Sequence, residues 1–237
     1  MHMDLFDLKV NIIPEIDPDC ENISESISTL NKMAINSIKK VCAMPLFIDI
    51  QDEYNIENIL VEIQKEASQI SDLIIPKLIW GIEYPLNYDI ANIDNLRSIN
   101  NGKYVMVKFP SNDIPKDYQI QLRYLVAQGL TPIINNFENS LLSGRSKEVQ
   151  SINEIGCLIN IDMTNYFLNK SNQLNKLIID LEKKDMIVLV SGFSKLTEGL
   201  YEKIVEFSEL TKIEFSKLTK HYMSRNPDII ANSKNYK

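Results

Sequence analysis

The feature that most constrains the fold of this chain is a regular alternation of short apolar runs with longer amphipathic segments. The apolar runs have the length of buried strands, and the amphipathic segments carry their apolar residues at helical spacing. Predicted strands cover residues 5–13, 40–44, 78–80, 131–135, 157–162 and 186–191. Predicted helices cover 24–38, 56–70, 116–128, 147–155, 171–184 and 196–223, with a short one after Pro227. This order predicts a parallel sheet with helical crossovers.

Local signals refine that order. Ser24 is the expected N-cap of the first helix. Residues 96–99 and 104–109 are expected to pair as a hairpin around the turn Asn100-Asn101-Gly102. Six or seven strand–helix units without a linker predict an α/β fold of one domain over 1–237, a distorted (β/α)7 TIM-like barrel. We expect 1–4 to be a flexible start with a cloning remnant, and 228–237 to be a C-terminal tail.

Composition excludes several classes of protein. The net charge is −7 and basic residues occur only in short pairs, which argues against nucleic acid as a partner. Two histidines, three widely spaced cysteines and seven glycines argue against a histidine-rich metal site, a disulfide framework and a nucleotide-binding loop. No apolar run has the ~18–20 residues that cross a bilayer, and no signal peptide is evident. The sequence therefore predicts a cytoplasmic protein.

In a barrel of parallel strands, functional residues lie just after the carboxyl ends of the strands. The predicted strands place a mixed set of side chains there, with amides, two ionisable acids and a lysine among them. The set comprises Asn11, Leu46, Glu83, Lys108, Asn136, Asp162, Gly192 and Ser194. These positions define the candidate site from strand placement alone.

Several short segments follow one another along the chain in an informative order. They are Asp7-Leu8-Lys9-Val10-Asn11 with Pro14 and Asp17, Ala43-Met44-Pro45-Leu46-Phe47, Gly81-Ile82-Glu83, Val107-Lys108-Phe109-Pro110, Asn135-Asn136-Phe137-Glu138-Asn139 and Ser191-Gly192-Phe193-Ser194. Their order and spacing resemble the PHP (polymerase and histidinol phosphatase) family. The resemblance is to the manganese-dependent protein tyrosine phosphatases of bacterial capsule and exopolysaccharide synthesis. It covers roughly residues 5 to 230.

The resemblance implies a polynuclear manganese site at the strand ends and hydrolysis of phosphotyrosine by a metal-activated water. Almost all of the family's metal-binding residues are replaced. Lys9 and Asn11 stand for the two histidines of the family's D-x-H-x-H strand, Leu46 or Phe47 for the next histidine, Lys108 for a glutamate, Asn136 for a histidine, and Gly192 and Ser194 for the last aspartate and histidine. Glu83 alone keeps its type among the main metal positions.

These replacements predict that the metal and the catalysis are lost. Manganese prefers several carboxylate or imidazole ligands, whereas an ammonium 4 Å away repels a cation by about 4 kcal/mol at an effective dielectric near 20. We therefore expect no cofactor, and a Lys9–Glu83–Lys108 cluster in place of the metal; the alternative is that one or both lysines turn outward. The expected vestigial pocket comprises Lys9, Asn11, Asp17, Leu46, Glu83, Lys108, Asn136, Glu138, Gly192 and Ser194.

Three functions remain open from the sequence. The first is a non-catalytic relative that binds a tyrosine kinase or a phosphotyrosine peptide in polysaccharide synthesis. The second is an active phosphoesterase that uses a divergent site around Glu83. The third is a structural scaffold that associates with itself as a homo-oligomer.

Overall fold

The structure is a computed structural model that describes residues 3–47, 53–86, 89–93, 96–110, 114–136 and 146–232. Eight strands form two sheets, and every ladder within them is parallel. The first sheet contains β1 (Leu5–Val10), β2 (Ile38–Ala43) and β3 (Lys77–Trp80). The second contains β4 (Glu83–Pro85), β5 (Tyr104–Lys108), β6 (Thr131–Asn135), β7 (Leu158–Asp162) and β8 (Ile187–Ser191).

The two sheets are continuous through the chain between β3 and β4. Only Gly81 and Ile82 separate these strands, and a parallel bridge between Leu46 and Glu83 connects the end of β2 to β4. Because β3 and β4 share one position around the barrel, the eight strands occupy seven positions. The predicted distorted (β/α)7 barrel is therefore confirmed.

Helices follow most strands and cover the outside of the sheets. The longer ones are Ile23–Ile35, Glu53–Ser68, Tyr118–Ala127, Ser146–Ile155, Met163–Asn169, Asn172–Lys183 and Leu200–Thr211. The helices predicted over 196–223 are confirmed as separate segments, because Lys212 has a left-handed backbone with φ 60° and ends Leu200–Thr211. The chain continues as Phe215–Lys217, a π-helix at Leu218–Arg225 and a last helix at Asn226–Ala231. Residues 228–231 thus belong to the fold and not to a tail.

The barrel closes where β1 meets β8, the outer strands of the two sheets. Within the described residues, hydrogen bonds from side chains hold this junction together. The Asp7 carboxylate accepts hydrogen bonds from the backbone N–H groups of Gly192 and Phe193, directly after β8. The Asn226 amide donates to the Val188 carbonyl at 2.9 Å. The π-helix packs against both strands and covers this seam.

The interior of the barrel is apolar at one end and polar at the other. Phe6, Leu8, Cys42, Met106, Ile133 and Leu189 come from five strands and form one buried cluster, which Ile230 and Ala231 of the last helix cover. Side chains two residues apart in a strand share a face. The same face therefore continues, towards the carboxyl ends of the strands, as Lys108, Asn135, Asn160, Asp162 and Ser191.

Some local predictions are wrong. Asn22, and not Ser24, caps the first helix, because its side chain accepts the hydrogen bond of the Glu25 N–H. The first strand ends at Val10, three residues before its predicted end. The predicted hairpin is also absent from the described residues: β5 pairs in parallel with β4 and β6, and 99–101 form a 3-10 turn.

The described part of the chain contains no helix that is both long and apolar enough to span a membrane. Cys42 and Cys157 are free and buried in the core. Burial raises the pKa of the Cys42 thiol well above its ordinary value and that of Cys157 to about 12. A thiolate nucleophile is therefore not available at either cysteine.

Candidate functional site

A cleft of about 270 Å³ opens at the end of the barrel where the strands finish. Lys108, Asn135 and Asp162 are the last residues of β5, β6 and β7, so the cleft lies where parallel barrels carry their functional residues. Every described residue of its lining is polar, charged or glycine. The lining comprises Lys9, Asn11, Asp19, Thr29, Glu83, Lys108, Asn135, Asn136, Asp162, Thr164, Asn165, Gly192, Ser194 and Lys195.

The Lys9 side chain points into this cleft. Its ammonium donates a 2.7 Å hydrogen bond to the Asn11 side chain and lies 3.7 Å from a carboxylate oxygen of Glu83. Both side chains of this ion pair are largely buried, with 12% and 3% of their surface exposed. The ladder between β1 and β2 shifts register between Asp7 and Val10, so simple strand alternation does not set the direction of Lys9.

The charge of Lys9 is maintained by surrounding carboxylates. Burial lowers the pKa of the ammonium, but the attraction of Glu83, Asp162, Asp17 and Asp7 outweighs this effect and raises the pKa above its ordinary value. The four carboxylates belong to β4, β7, the loop after β1, and β1 itself. Lys9 therefore keeps its positive charge in this buried position, where Glu83 is its ion-pair partner.

A chain of buried amides leads across the barrel to Glu83. The Ser191 hydroxyl bonds to the Asn160 side-chain oxygen at 2.9 Å, and the Asn160 amide donates to the Asn135 oxygen at 2.8 Å. The Asn135 amide in turn donates to Glu83 Oε1 at 2.6 Å. Each side chain donates a hydrogen bond to the next one, and the last acceptor is the Glu83 carboxylate. Glu83 thus accepts a hydrogen bond from this chain and also faces the Lys9 ammonium.

Asp7 holds the turn that follows β8. Its Oδ1 accepts from the Gly192 N–H at 2.9 Å and from the Lys9 N–H at 3.0 Å, and its Oδ2 accepts from the Phe193 N–H at 2.7 Å. The carboxyl is fully buried, and burial raises its pKa to about 6 despite these three N–H donors. The turn leads directly into Ser194 on the wall of the cleft.

Gly192 fits this turn because it lacks a side chain. Its φ of +80° is a left-handed conformation, and a Cβ atom there would lie 2.7 Å from Oδ1 of Asp162. The Asp162 carboxylate is fixed by the Asn165 N–H at 2.9 Å, and the Thr164 hydroxyl donates to the Gly192 carbonyl at 2.7 Å. The space that a side chain at 192 would need is thus filled by Asp162.

The predicted three-residue cluster is wrong in one member. Lys108 lines the cleft, but no ion pair between Lys108 and Glu83 occurs within the residues described. The ladder explains the separation: Glu83 pairs with Met106, whereas Lys108 pairs with Pro85, two residues farther along β4. Lys108 therefore lies two residues beyond the row of Glu83, towards the carboxyl ends of the strands, and lines the cleft there.

The other predicted residues divide into three groups. The cleft brings together Asn11, Asn136, Gly192 and Ser194 with the pair just described. Leu46 and Asp17 do not line it: Leu46 forms a backbone bridge to Glu83, and buried Asp17 accepts the Ile13 N–H at 2.7 Å. Glu138 lies outside the described residues.

Several residues of the site were absent from the predicted pocket. They are Asp7, Asn160 and Ser191 beneath the cleft, and Asp19, Thr29, Asn135, Asp162, Thr164, Asn165 and Lys195 in its lining. Asp162 had been placed at a strand end without being assigned to the pocket. A signal for the buried set does exist, because Asn135, Asn160 and Ser191 are polar residues within otherwise apolar strands.

The manganese that the resemblance implies does not fit these residues. Within the described ranges, no group of three or more histidine, cysteine, aspartate and glutamate side chains is placed to hold a metal ion. The carboxylate of Glu83 faces the Lys9 ammonium and the Asn135 amide. An ammonium competes with a divalent cation for the same carboxylate and repels it.

Comparisons with known proteins agree with the predicted resemblance. A putative tyrosine-protein phosphatase, CapC of Staphylococcus aureus, is 28% identical over 142 residues, which cover 57% of this chain and 55% of that protein. The match thus spans about half the length of that curated relative. A family model described as capsular polysaccharide synthesis, CpsB/CapC, matches residues 5–227.

Solved structures support the fold. A structure described as YwqE from Bacillus subtilis and CpsB from Streptococcus pneumoniae, unique metal-dependent tyrosine phosphatases, superposes with a TM-score of 0.80 at 17% identity, over 98% of this chain and 96% of that one. A phosphotriesterase homology protein from Escherichia coli, with phosphate in its active site, gives 0.63 at 8% identity over 98% and 99%. With the family model matching nearly all of the sequence, this chain belongs to the CpsB/CapC family of capsular polysaccharide synthesis.

Proposed function

We propose that this chain is a non-catalytic member of its family that binds a phosphate monoester in the cleft and does not hydrolyse it. The observation that carries this proposal is the Lys9 ammonium, 3.7 Å from Glu83 at the base of the cleft. The pair joins Glu83, which alone keeps its type among the family's main metal positions, to the Lys9 ammonium. A metal-activated water would need that carboxylate as a ligand.

The chemistry of the lining argues against another route to hydrolysis. A general base needs a free acceptor within reach of the attacking water, with a pKa near the working pH. Glu83 faces Lys9 and Asn135, Oδ1 of Asp162 accepts the Asn165 N–H, and Asp19 forms an ion pair with Lys195. Histidine, the usual base, is absent from the described lining, and His221 belongs to the π-helix at the far end of β8.

The same lining favours binding of an anion. The Lys108 ammonium faces the cleft and forms no ion pair with the carboxylates of the described residues. The Ser194 hydroxyl and the Asn11 amide also lie on the lining and supply hydrogen-bond donors. Ammonium and amide donors are those that phosphate oxygens accept most readily.

Family membership suggests the biological setting. We propose that the chain acts in capsular polysaccharide synthesis and that its partner is a tyrosine kinase, engaged through a phosphotyrosine of the kinase. The named relatives are a putative tyrosine-protein phosphatase and metal-dependent tyrosine phosphatases, for which such a residue is the substrate. A pocket that has lost hydrolysis would retain that phosphate group as a ligand. We also propose that the protein is located in the cytoplasm, where the phosphotyrosine of the kinase would be accessible to it.

Turnover and metal content test the loss of catalysis. The purified chain is incubated with p-nitrophenyl phosphate and manganese, and its bound metal is measured by elemental analysis. We expect no turnover above background and less than one manganese per chain. Turnover that Glu83→Ala abolishes would establish an active phosphoesterase instead.

Calorimetric titration tests the binding role. Inorganic phosphate and a phosphotyrosine peptide are the probes, with Lys108→Ala as the cleft variant and Lys176→Ala as the control. Lys176 is an exposed lysine on Asn172–Lys183, so its loss removes the same charge away from the cleft. We expect Lys108→Ala alone to weaken binding, by about tenfold. Failure of the unmodified chain to bind either probe, together with a stable oligomer in solution, would favour the scaffold.

A further inference from the structure

We infer that Asp7 is a positioning residue for the cleft: its carboxylate ties the turn after β8 to β1 and so sets the wall formed by Ser194 and Lys195. The inference rests on the proposed function only where ligand affinity is concerned. Asp7 itself does not line the cleft, and it acts through the residues it holds.

The first step of the argument is the way the three hydrogen bonds are distributed. Two of them come from consecutive N–H groups on the turn, at Gly192 and Phe193, and the third comes from Lys9 on β1. One carboxylate therefore fixes two segments that are 185 residues apart in sequence. Because both oxygens are used, the turn is fixed in orientation as well as in distance.

The second step is the location of the turn relative to the cleft. Ser194 follows it immediately and begins a 3-10 helix that ends at Leu196. Lys195 in this helix forms an ion pair with Asp19 at 2.6 Å, and both residues line the cleft. A displacement of the turn would therefore move the Ser194 hydroxyl and the Lys195–Asp19 pair together.

The third step is that the Gly192 backbone has few other hydrogen-bond restraints in the described residues, whereas the Phe193 ring is anchored in the core. The backbone at Gly192 is left-handed, a conformation that glycine occupies without cost but does not favour by itself. The described side-chain contact to its carbonyl is the Thr164 hydroxyl. Removing one carboxylate oxygen should therefore loosen the backbone at Gly192 while the Phe193 ring stays in the core and the strands remain paired.

The test uses Asp7→Asn, which keeps the shape but replaces one acceptor oxygen with an N–H donor. The matched control is Asp17→Asn, since Asp17 is also buried and accepts a backbone N–H, that of Ile13. Amide resonances are recorded by two-dimensional ¹H–¹⁵N NMR on the full chain. We expect Asp7→Asn to shift the Gly192 and Phe193 amides upfield as their hydrogen bonds weaken, and Asp17→Asn to leave them in place.

Phosphate affinity is the second readout, measured by calorimetry on the folded variants. We expect Asp7→Asn to weaken inorganic phosphate binding by roughly tenfold, since the wall must be ordered again when the ligand binds. Unchanged amides in Asp7→Asn, or unchanged affinity with shifted amides, would overturn the inference. If the unmodified chain binds no phosphate, the proposed function fails, and the amide shifts still decide whether Asp7 holds the turn. Should Asp7→Asn not fold, Asp7→Glu moves both acceptor oxygens one methylene farther from β1, so the Gly192 and Phe193 amides should still shift, and unchanged amides would again overturn the inference.

Discussion

The Lys9 ammonium lies 3.7 Å from the Glu83 carboxylate and 2.7 Å from the Asn11 side-chain oxygen, beneath a cleft lined by polar groups. A buried ion pair is costly to form, because both charges lose water. Once it is formed, each charge becomes the main compensation for the other. The pair therefore gives a clear expectation for single substitutions.

Lys9→Met should destabilise the protein by about 3–5 kcal/mol, because it leaves the Glu83 carboxylate buried without its cation. Urea denaturation measures the change in the free energy of unfolding. The control is Lys170→Met, which breaks an exposed ion pair to Glu206 and should cost about 0–1 kcal/mol. Equal losses in the two variants would contradict a buried pair at Lys9.

Asn160→Leu should destabilise the protein, because it leaves the Ser191 hydroxyl and the Asn135 oxygen without their partner. Each unsatisfied buried group costs about 1–3 kcal/mol. Adding Ser191→Ala removes one of these two groups, so the double variant should be more stable than Asn160→Leu alone. Thermal and urea denaturation measure which of the two variants is more stable. A double variant less stable than the single one would show that the amide chain does not act as a unit.

Gly192→Ala should cost more than Gly129→Ala. Both glycines have φ of +80°, so both substitutions carry the same backbone strain of about 1–2 kcal/mol. Only at 192 does the new Cβ meet an obstacle, at 2.7 Å from Oδ1 of Asp162, whereas nothing lies within 4 Å at 129. The difference between the stability losses of Gly192→Ala and Gly129→Ala therefore measures the cost of the clash with Asp162. The expectation is refuted by equal costs at the two positions.

The stability contribution of Asp7 should decrease as the pH rises. Burial raises the pKa of its carboxyl from 3.8 to about 6, so the native state binds the proton more tightly than the unfolded chain does. The contribution is therefore fully present below pH 3.8 and is lost as the pH rises towards 6. In urea denaturation from pH 4 to pH 7, the unmodified protein should lose stability relative to Asp7→Asn as the pH rises. Parallel curves for the two proteins would exclude this titration.

Much of the fold was predictable because strands and helices differ in the period of their apolar residues. The predicted strand at 131–135 matches β6 in full, and the helix at 171–184 differs from the observed one by one residue at each end. The hairpin prediction failed because Asn100-Asn101-Gly102 is a strong turn signal without an antiparallel partner. Two left-handed asparagines there form a 3-10 turn that leads into a parallel strand.

The site was predictable by position and less so by contact. Strand ends indicated Glu83, Lys108 and Asn136, and the cleft contains all three. We predicted that Lys9 and Lys108 would both reach Glu83. Whether Lys108 does so depends on the register between β4 and β5, which the sequence does not encode locally. The role of Asp7 depends on a contact between the first and last strands, and so on closure of the whole barrel.

The seam between β1 and β8 has a consequence for the behaviour of the chain in solution. The outer edge of β8 is covered by the C-terminal helices, and Asn226 occupies the Val188 carbonyl there. An uncovered strand edge is a template for pairing with other chains. Residues 218–231 therefore cover the edge of β8, and we expect a chain that is cut before them to present β8 to its neighbours.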